Sequence, residues 1–117
     1  MYIEMELKKG QVLINEGEPS DCIYFLRSGE LAIYKYDSQS LGHNIIGHVE
    51  PGEMVGEMSF LDNLPRAATV KANTDCRVSI MNRAEFDKIF HAQDSMIQNL
   101  VKTLSERLRK TNSKVHL

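Results

Sequence analysis

The first two thirds of the chain, from Met5 to about Asn82, is a succession of short apolar or alternating runs, each stopped by turn-forming residues. The runs cover residues 11–14, 22–26, 31–36, 44–49, 68–72 and 76–81. Segments this short cannot form long helices, and short strands at regular spacing are typical of antiparallel sandwiches and barrels. We therefore expect a mainly β fold over about residues 5–82.

The hydrophobic period changes after residue 82. Asn82 is placed to cap one helix that ends near residue 91, and Asp94 or Ser95 is placed to cap a second that ends near residue 110. Asn, Asp and Ser are preferred caps because their side chains accept hydrogen bonds from the free N–H groups of the first turn. We expect two C-terminal helices over about residues 83–110.

Size and charge indicate one soluble domain spanning residues 1–117. A chain of 117 residues suits a single core, and its net charge of −2 gives no general attraction to nucleic acid or membrane. The sequence has no apolar run of transmembrane length and no signal-peptide pattern at its start. Cys22 and Cys76 are therefore expected to be reduced thiols. We expect a cytoplasmic protein with neither a nucleic-acid nor a membrane partner.

Residues 55–70 carry the chemistry. A Gly56-Glu57 pair stands eight residues ahead of a Pro-Arg-Ala-Ala run that contains Arg66. Gly56 allows a close backbone approach, and residues 57–61 can form a helical turn with free N–H groups facing an anion. The planar guanidinium of Arg66 suits phosphate oxygens, whereas the carboxylate of Glu57 suits hydroxyls. An anion clamp beside a hydroxyl acceptor predicts a nucleotide-like site.

This stretch resembles the phosphate-binding cassette of the cyclic nucleotide-binding domain family. Residues 10–31 are similar to the opening strands of that family and residues 83–86 to the start of its first C-terminal helix, so the resemblance covers about residues 8–110. It implies an antiparallel β-roll, a jelly-roll with a cupin-like double-stranded barrel, followed by two helices. It also implies a cyclic nucleotide as the ligand and no other cofactor.

The resemblance assigns roles to individual residues. Glu57 accepts from the ribose 2′-hydroxyl, and Arg66 is the phosphate cation. The implied ligand-binding set is Gly56, Glu57, Met58, Ser59, Arg66, Ala67 and Ala68. Family members that favour cGMP often have a threonine directly after the arginine, and Ala67 has no hydroxyl there. We therefore expect cAMP to be favoured over cGMP.

The last helix carries an apolar stripe formed by Ile97, Val101, Leu104 and Leu108. The spacing of four, three and four residues is that of one helix face. Three roles stay open for this face: packing on the protein's own sheet, acting as a lid over the base, or forming a seam in a homodimer. Val55, Leu104 and Arg107 are the candidate base or lid contacts.

Other functional classes have weaker support. His43, His48, Glu50 and Glu53 are the clustered candidates for a metal cupin, but they lack the His-x-His pattern of such sites, so we expect no metal. No paired nucleophile and base is visible, so we expect no enzyme. The alternative function is a β-roll scaffold that has lost nucleotide binding and responds to a protein partner. The retained charges of Glu57 and Arg66 argue against it. The sequence does not identify the effector protein.

Overall fold

The computed structural model describes residues 2–37, 39 and 42–111. Within these residues the chain forms eight strands and three helices. They are β1 (Ile3–Leu7), β2 (Val12–Ile14), β3 (Cys22–Ser28), β4 (Leu31–Asp37), β5 (Gly42–Val49), β6 (Met54–Val55), α1 (Glu57–Asp62), β7 (Thr69–Ala72), β8 (Cys76–Asn82), α2 (Arg83–His91) and α3 (Ser95–Thr111).

The strands form two four-stranded antiparallel sheets with the orders β1-β8-β3-β6 and β2-β7-β4-β5. Alternate residues of both sheets point inward and meet in one apolar core. Its largest fully buried side chains include Phe60, Leu26, Leu31 and Val78. The predicted antiparallel β-roll with C-terminal helices is confirmed. Along the chain, the cassette connects β6 of the first sheet to β7 of the second.

Two strands were not among the predicted runs. β1 pairs with β8 over five residues, so the roll begins at Ile3 rather than near residue 5. The charged residues of β1 interrupt the apolar pattern of a strand, so the sequence did not predict it. In the structure, Ser79 Oγ donates a hydrogen bond to Glu4 Oε1 at 2.7 Å. β6 is only two residues long and pairs with β3. A strand of two residues has too few positions to show a period of two.

The cassette consists of α1 and the loop that follows it. Gly56 caps the start of α1, and Asn63 ends the helix in the left-handed conformation. The loop then runs beside the turn between β2 and β3. There Arg66 N donates to Glu18 O and Gly17 N donates to Arg66 O, both at 2.8 Å. These reciprocal backbone bonds hold Arg66 in place.

The two C-terminal helices begin and end within one residue of the predicted positions. Asn82 Oδ1 accepts from Glu85 N at 2.8 Å, which confirms the predicted cap of α2. At the start of α3, Asp94 Oδ1 accepts from Met96 N at 2.8 Å. Of the two caps proposed for α3, Asp94 therefore supplies the side chain.

The helices differ in how tightly they pack. Phe86 of α2 meets the buried ring of Phe60 edge-on with ring centroids 5.2 Å apart, and it stacks on Phe90 at 5.3 Å. In α3, by contrast, Ser105 is the only residue classed as buried. Leu104 and Leu108 of the apolar stripe are each 48% exposed. The outer part of the stripe is therefore not sealed against the sheet.

Candidate functional site

Arg66 is a buried cation with neutral partners. The residue is 5% exposed, and its Nη1 donates to Gly56 O at 2.7 Å while Nη2 donates to Cys22 O at 2.5 Å. Ser59 Oγ is a further acceptor at 3.4 Å. Among the described residues, no carboxylate forms an ion pair with this guanidinium. Because a buried charge without a counter-charge is costly, the cassette holds positive charge that an anion would stabilise.

Gly56 makes room for that arginine. Its φ of 80° lies in the left-handed region, and a Cβ built on it would lie 2.4 Å from Arg66 Nη1. The Gly56 carbonyl also accepts from Phe60 N at 3.2 Å, as the first bond of α1. Position 56 therefore requires glycine for two reasons: its positive φ, and the space that the Arg66 guanidinium occupies.

Glu57 carries a buried oxygen without a donor. Among the described residues, no hydrogen-bond donor reaches Glu57 Oε2, although the atom is fully buried. Burial raises the pKa of the Glu57 carboxyl above its usual value. The residue's own backbone N–H and the charge of Arg66 oppose that rise without cancelling it. An acceptor in this state would be satisfied by a hydroxyl of a ligand.

The structure brings six of the predicted residues together. Val55, Gly56, Ser59, Arg66, Ala67 and Ala68 share the lining of one small cavity with Ile14 and Val70. Its volume is about 10 Å³, close to that of one water-sized sphere. The residues predicted to hold the phosphate therefore lie together around one small pocket.

The other predicted residues lie elsewhere. Glu57 lines a separate groove of about 600 Å³, which runs between the sheet of β3 and the two C-terminal helices. Val101 of α3 lines the same groove. Met58 is buried and lines neither space, and the candidate lid residues Leu104 and Arg107 also line neither. The structure thus places Glu57, the predicted hydroxyl acceptor, apart from the small cavity at Arg66, and it leaves the two lid candidates outside both spaces.

Two arginines that sequence reasoning missed tie the cassette helix to the C-terminal helices. Arg83 Nη2 donates to Phe60 O at 2.8 Å, and its guanidinium lies 4.1 Å from the Phe60 ring centroid. Arg109 of α3 forms a two-pronged ion pair with Asp62, the last residue of α1. The residues in these two contacts are 23 and 47 positions apart in the chain, so no local sequence motif predicts the contacts.

Lys35 is a third residue that the sequence analysis missed. Its Nζ donates to Ala67 O at 2.6 Å and lies 3.8 Å from Glu16 Oε2. The one sequence signal is a charged residue in the apolar run of β4, two positions after Ile33. The ammonium group therefore reaches the cassette loop from β4, the neighbour of the strand β7 into which the loop leads.

The described residues form neither a metal cluster nor a membrane-spanning helix. Over the part of the chain that is described, no three His, Cys, Asp or Glu side chains come together as metal ligands. The side chain of His43, one of the cupin candidates, lies outside that part. None of the helices in the described ranges has the length and apolar character needed to span a membrane.

Comparison with known proteins gives consistent matches. The family profile described as Cyclic nucleotide-binding domain matches residues 4–93. The chain is 32% identical over 89 residues to a cAMP-dependent protein kinase regulatory subunit of Hypocrea atroviridis, a match that covers 76% of this chain and 18% of that protein.

Two solved structures of one enzyme are also similar to this chain. The EAL enzyme Bd1971 in its cAMP-bound form is similar with a TM-score of 0.75 and 29% identity, over 94% of this chain and 29% of that chain. Its cGMP-bound form has a TM-score of 0.76 and 29% identity, over 95% and 30%. This chain spans less than a third of either relative, the kinase subunit or the enzyme.

Proposed function

Because the chain belongs to the cyclic nucleotide-binding domain family, we propose that it binds a cyclic nucleotide, with cAMP favoured over cGMP, as a regulatory sensor module. The proposed ligand-binding residues are those of the cassette, namely Gly56, Glu57, Met58, Ser59, Arg66, Ala67 and Ala68. The module itself is proposed to be non-catalytic and to act on an effector protein.

The observation that carries this proposal is a pair of incomplete groups in one cassette. Arg66 is a buried cation without an ion-pair partner among the described residues, and Glu57 Oε2 is a buried acceptor without a donor there. A cyclic nucleotide offers both complements, an anionic phosphate and a ribose hydroxyl. Each incomplete group costs free energy in the free protein, and binding would recover it.

Arg66 retains donors for a phosphate. A guanidinium has five N–H groups, and its bonds to protein acceptors use only the two terminal nitrogens. The pocket beside Arg66 holds about 10 Å³, less than a phosphate group occupies. We propose that seating a phosphate there shifts Arg66 or the cassette loop, and that this movement is the signal.

The contacts of α1 provide the route for that signal. Phe60 packs on Phe86 of α2, and Asp62 pairs with Arg109 of α3. A shift of α1 would change both contacts, so the nucleotide would bias the position of the C-terminal helices between two states. In this way the nucleotide would reposition the last helix.

The preference for cAMP rests on Ala67. A guanine has an exocyclic amino group that a hydroxyl after the arginine can hold, and Ala67 offers none. The loss of one such hydrogen bond would weaken cGMP by about 0.5–1.5 kcal/mol relative to a threonine-bearing site. The preference is therefore expected to be modest.

Isothermal titration calorimetry with cAMP and cGMP tests the function. We expect the wild type to bind both and Arg66→Ala to bind at least about tenfold more weakly, because a charge-assisted hydrogen bond contributes about 1.5–3 kcal/mol. Arg77→Ala is the matched control. It removes an arginine whose side chain is 65% exposed and whose ion-pair partner is Glu6 of β1.

Arg66→Ala also removes bonds to buried carbonyls, so each variant is checked by thermal unfolding. Arg66→Lys keeps the charge without the planar fork and should bind with intermediate affinity. A folded wild type that binds neither nucleotide would contradict the proposal. That result would favour the scaffold that responds to a protein partner.

A further inference from the structure

Lys35 lies on the inward face of β4. Against β7, Ile33 pairs with Val70 and Tyr34 pairs with Thr69. Ile33 and Val70 are both part of the buried core. Since side chains alternate between the faces of a strand, Lys35 follows Ile33 onto the inward face, at the end of the sheet nearest the cassette. A charged residue there breaks the apolar pattern of that face.

The contacts of the Lys35 ammonium place it at the cassette loop. Nζ donates to Ala67 O at 2.6 Å, and Ala67 directly follows the cation Arg66. Glu16 Oε2 lies 3.8 Å away, at the outer limit of an ion pair. The Lys35 side chain keeps 43% of its surface exposed, so the ammonium is partly hydrated and can move. Its long flexible stem allows it to change acceptor at little cost.

The neighbouring lysine of the same sheet shows what a purely structural role looks like. Lys71 of β7 pairs with Ala32 in register, on the outward face, and its Nζ lies 5.2 Å from the centroid of the Tyr34 ring. Lys71 thus covers an aromatic ring away from the cassette. Lys35 instead places a positive charge on the backbone of the cassette loop, at the residue that follows Arg66 in the chain.

We propose that Lys35 is a second phosphate-binding cation of this site, a role that rests on the function proposed above. In the free protein the Ala67 carbonyl and Glu16 hold its ammonium. When a cyclic nucleotide binds, the ammonium contacts the phosphate from the side of β4, while Arg66 contacts it from the cassette. A phosphate is the favoured partner because hydrogen bonds between ionised groups are the stronger ones.

The test is calorimetric titration of Lys35→Met with cAMP and cGMP at two salt concentrations. Methionine keeps most of the stem and removes the charge. We expect binding of both nucleotides to weaken by about tenfold or more, by similar factors. The dependence of affinity on salt should also decrease, because one charge fewer faces the ligand. Lys35→Arg should restore most of the affinity, and Lys71→Met should change it less than about twofold.

Each other outcome would overturn the proposal. Unchanged affinity in Lys35→Met would show that the ammonium does not contact the ligand. A loss confined to one nucleotide would indicate a contact with the base. A loss with unchanged salt dependence and no restoration by arginine would indicate that Lys35 only supports the Ala67 loop. If the wild type binds no nucleotide, the proposed function fails as well, so the wild-type titration separates the two failures.

Discussion

Gly56 shows how one residue serves both the backbone and the site. Its φ of 80° is unfavourable for residues with a side chain, and the position of a Cβ is already occupied by Arg66 Nη1 at 2.4 Å. Gly52 provides a natural comparison, because its φ is 93° and a Cβ there would meet no atom within 4 Å. The two glycines therefore separate backbone strain from steric conflict.

We expect Gly52→Ala to cost about 1 kcal/mol of unfolding free energy through strain alone. Gly56→Ala should cost about 1–3 kcal/mol more, because Arg66 must also shift out of its buried position. Thermal or chemical unfolding of both variants measures the difference. An equal loss of unfolding free energy in the two variants would mean that Arg66 moves aside without cost, which would contradict a tightly held guanidinium.

Glu57 makes binding dependent on pH. Burial raises the pKa of its carboxyl in the free protein, whereas a ligand hydroxyl would bind the ionised form and lower that pKa. We therefore expect the affinity for cAMP to fall as the pH drops through the pKa of free Glu57, with protons released on binding in the pH range between the bound and the free pKa values. Calorimetry of the wild type and Glu57→Gln over a range of pH tests this, and Glu57→Gln should bind more weakly without this pH dependence.

The stability of the free protein should show the matching effect. For an acid whose folded pKa is raised, the stabilising contribution is fully present below the unfolded pKa and is lost as pH rises through the folded pKa. Relative to Glu57→Gln, the wild type should therefore be least stable at neutral pH and gain as the pH falls. A stability difference that is the same at every pH would show that folding does not raise the pKa of the Glu57 carboxyl.

At the scale of elements, α1 is the common neighbour of both C-terminal helices. Its Phe60 packs on α2, and its Asp62 side chain, 4% exposed, is held by Arg109 of α3. α3 has little other burial, since Ser105 is its only buried residue. The Asp62–Arg109 pair therefore joins α3 to the end of the cassette helix.

Loosening this pair should loosen α3. We expect Arg109→Gln and Asp62→Asn each to speed amide hydrogen exchange in the last two turns of α3 by roughly three- to tenfold, with little further change in the double variant. Arg107→Gln, an exposed arginine of the same helix, is the control and should leave exchange unchanged. Exchange rates that are independent of Asp62 and Arg109 would contradict the proposed route.

At the scale of the whole molecule, the sequence predicted what local chemistry determines. The mainly β fold, the Asn82 cap and the two helices followed from short periods and capping residues, whereas the β-roll followed from the family resemblance. The family inferred from residues 55–70 is confirmed by the profile match. The two-residue strand β6 was not predicted, because so short a strand shows no hydrophobic period. The Asp62–Arg109 and Lys35–Ala67 contacts join residues 47 and 32 positions apart, so they follow only from the tertiary fold.

The site was predicted as one unit, but its parts behave differently in the folded chain. The residues around Arg66 share a small cavity, while Glu57 lines the groove under α3. Spacing along the chain indicates which residues come close, but not which way a buried side chain turns. That direction depends on which acceptors surround it, here the carbonyls of Gly56 and Cys22 for Arg66.

A crystal structure of the chain with cAMP tests the central claim most directly. The account predicts the cyclic phosphate within hydrogen-bond distance of the Arg66 guanidinium and the ribose 2′-hydroxyl on Glu57, with the small cavity opened. A nucleotide bound elsewhere, with Arg66 still held by Gly56 and Cys22 and Glu57 Oε2 still without a donor, would contradict it.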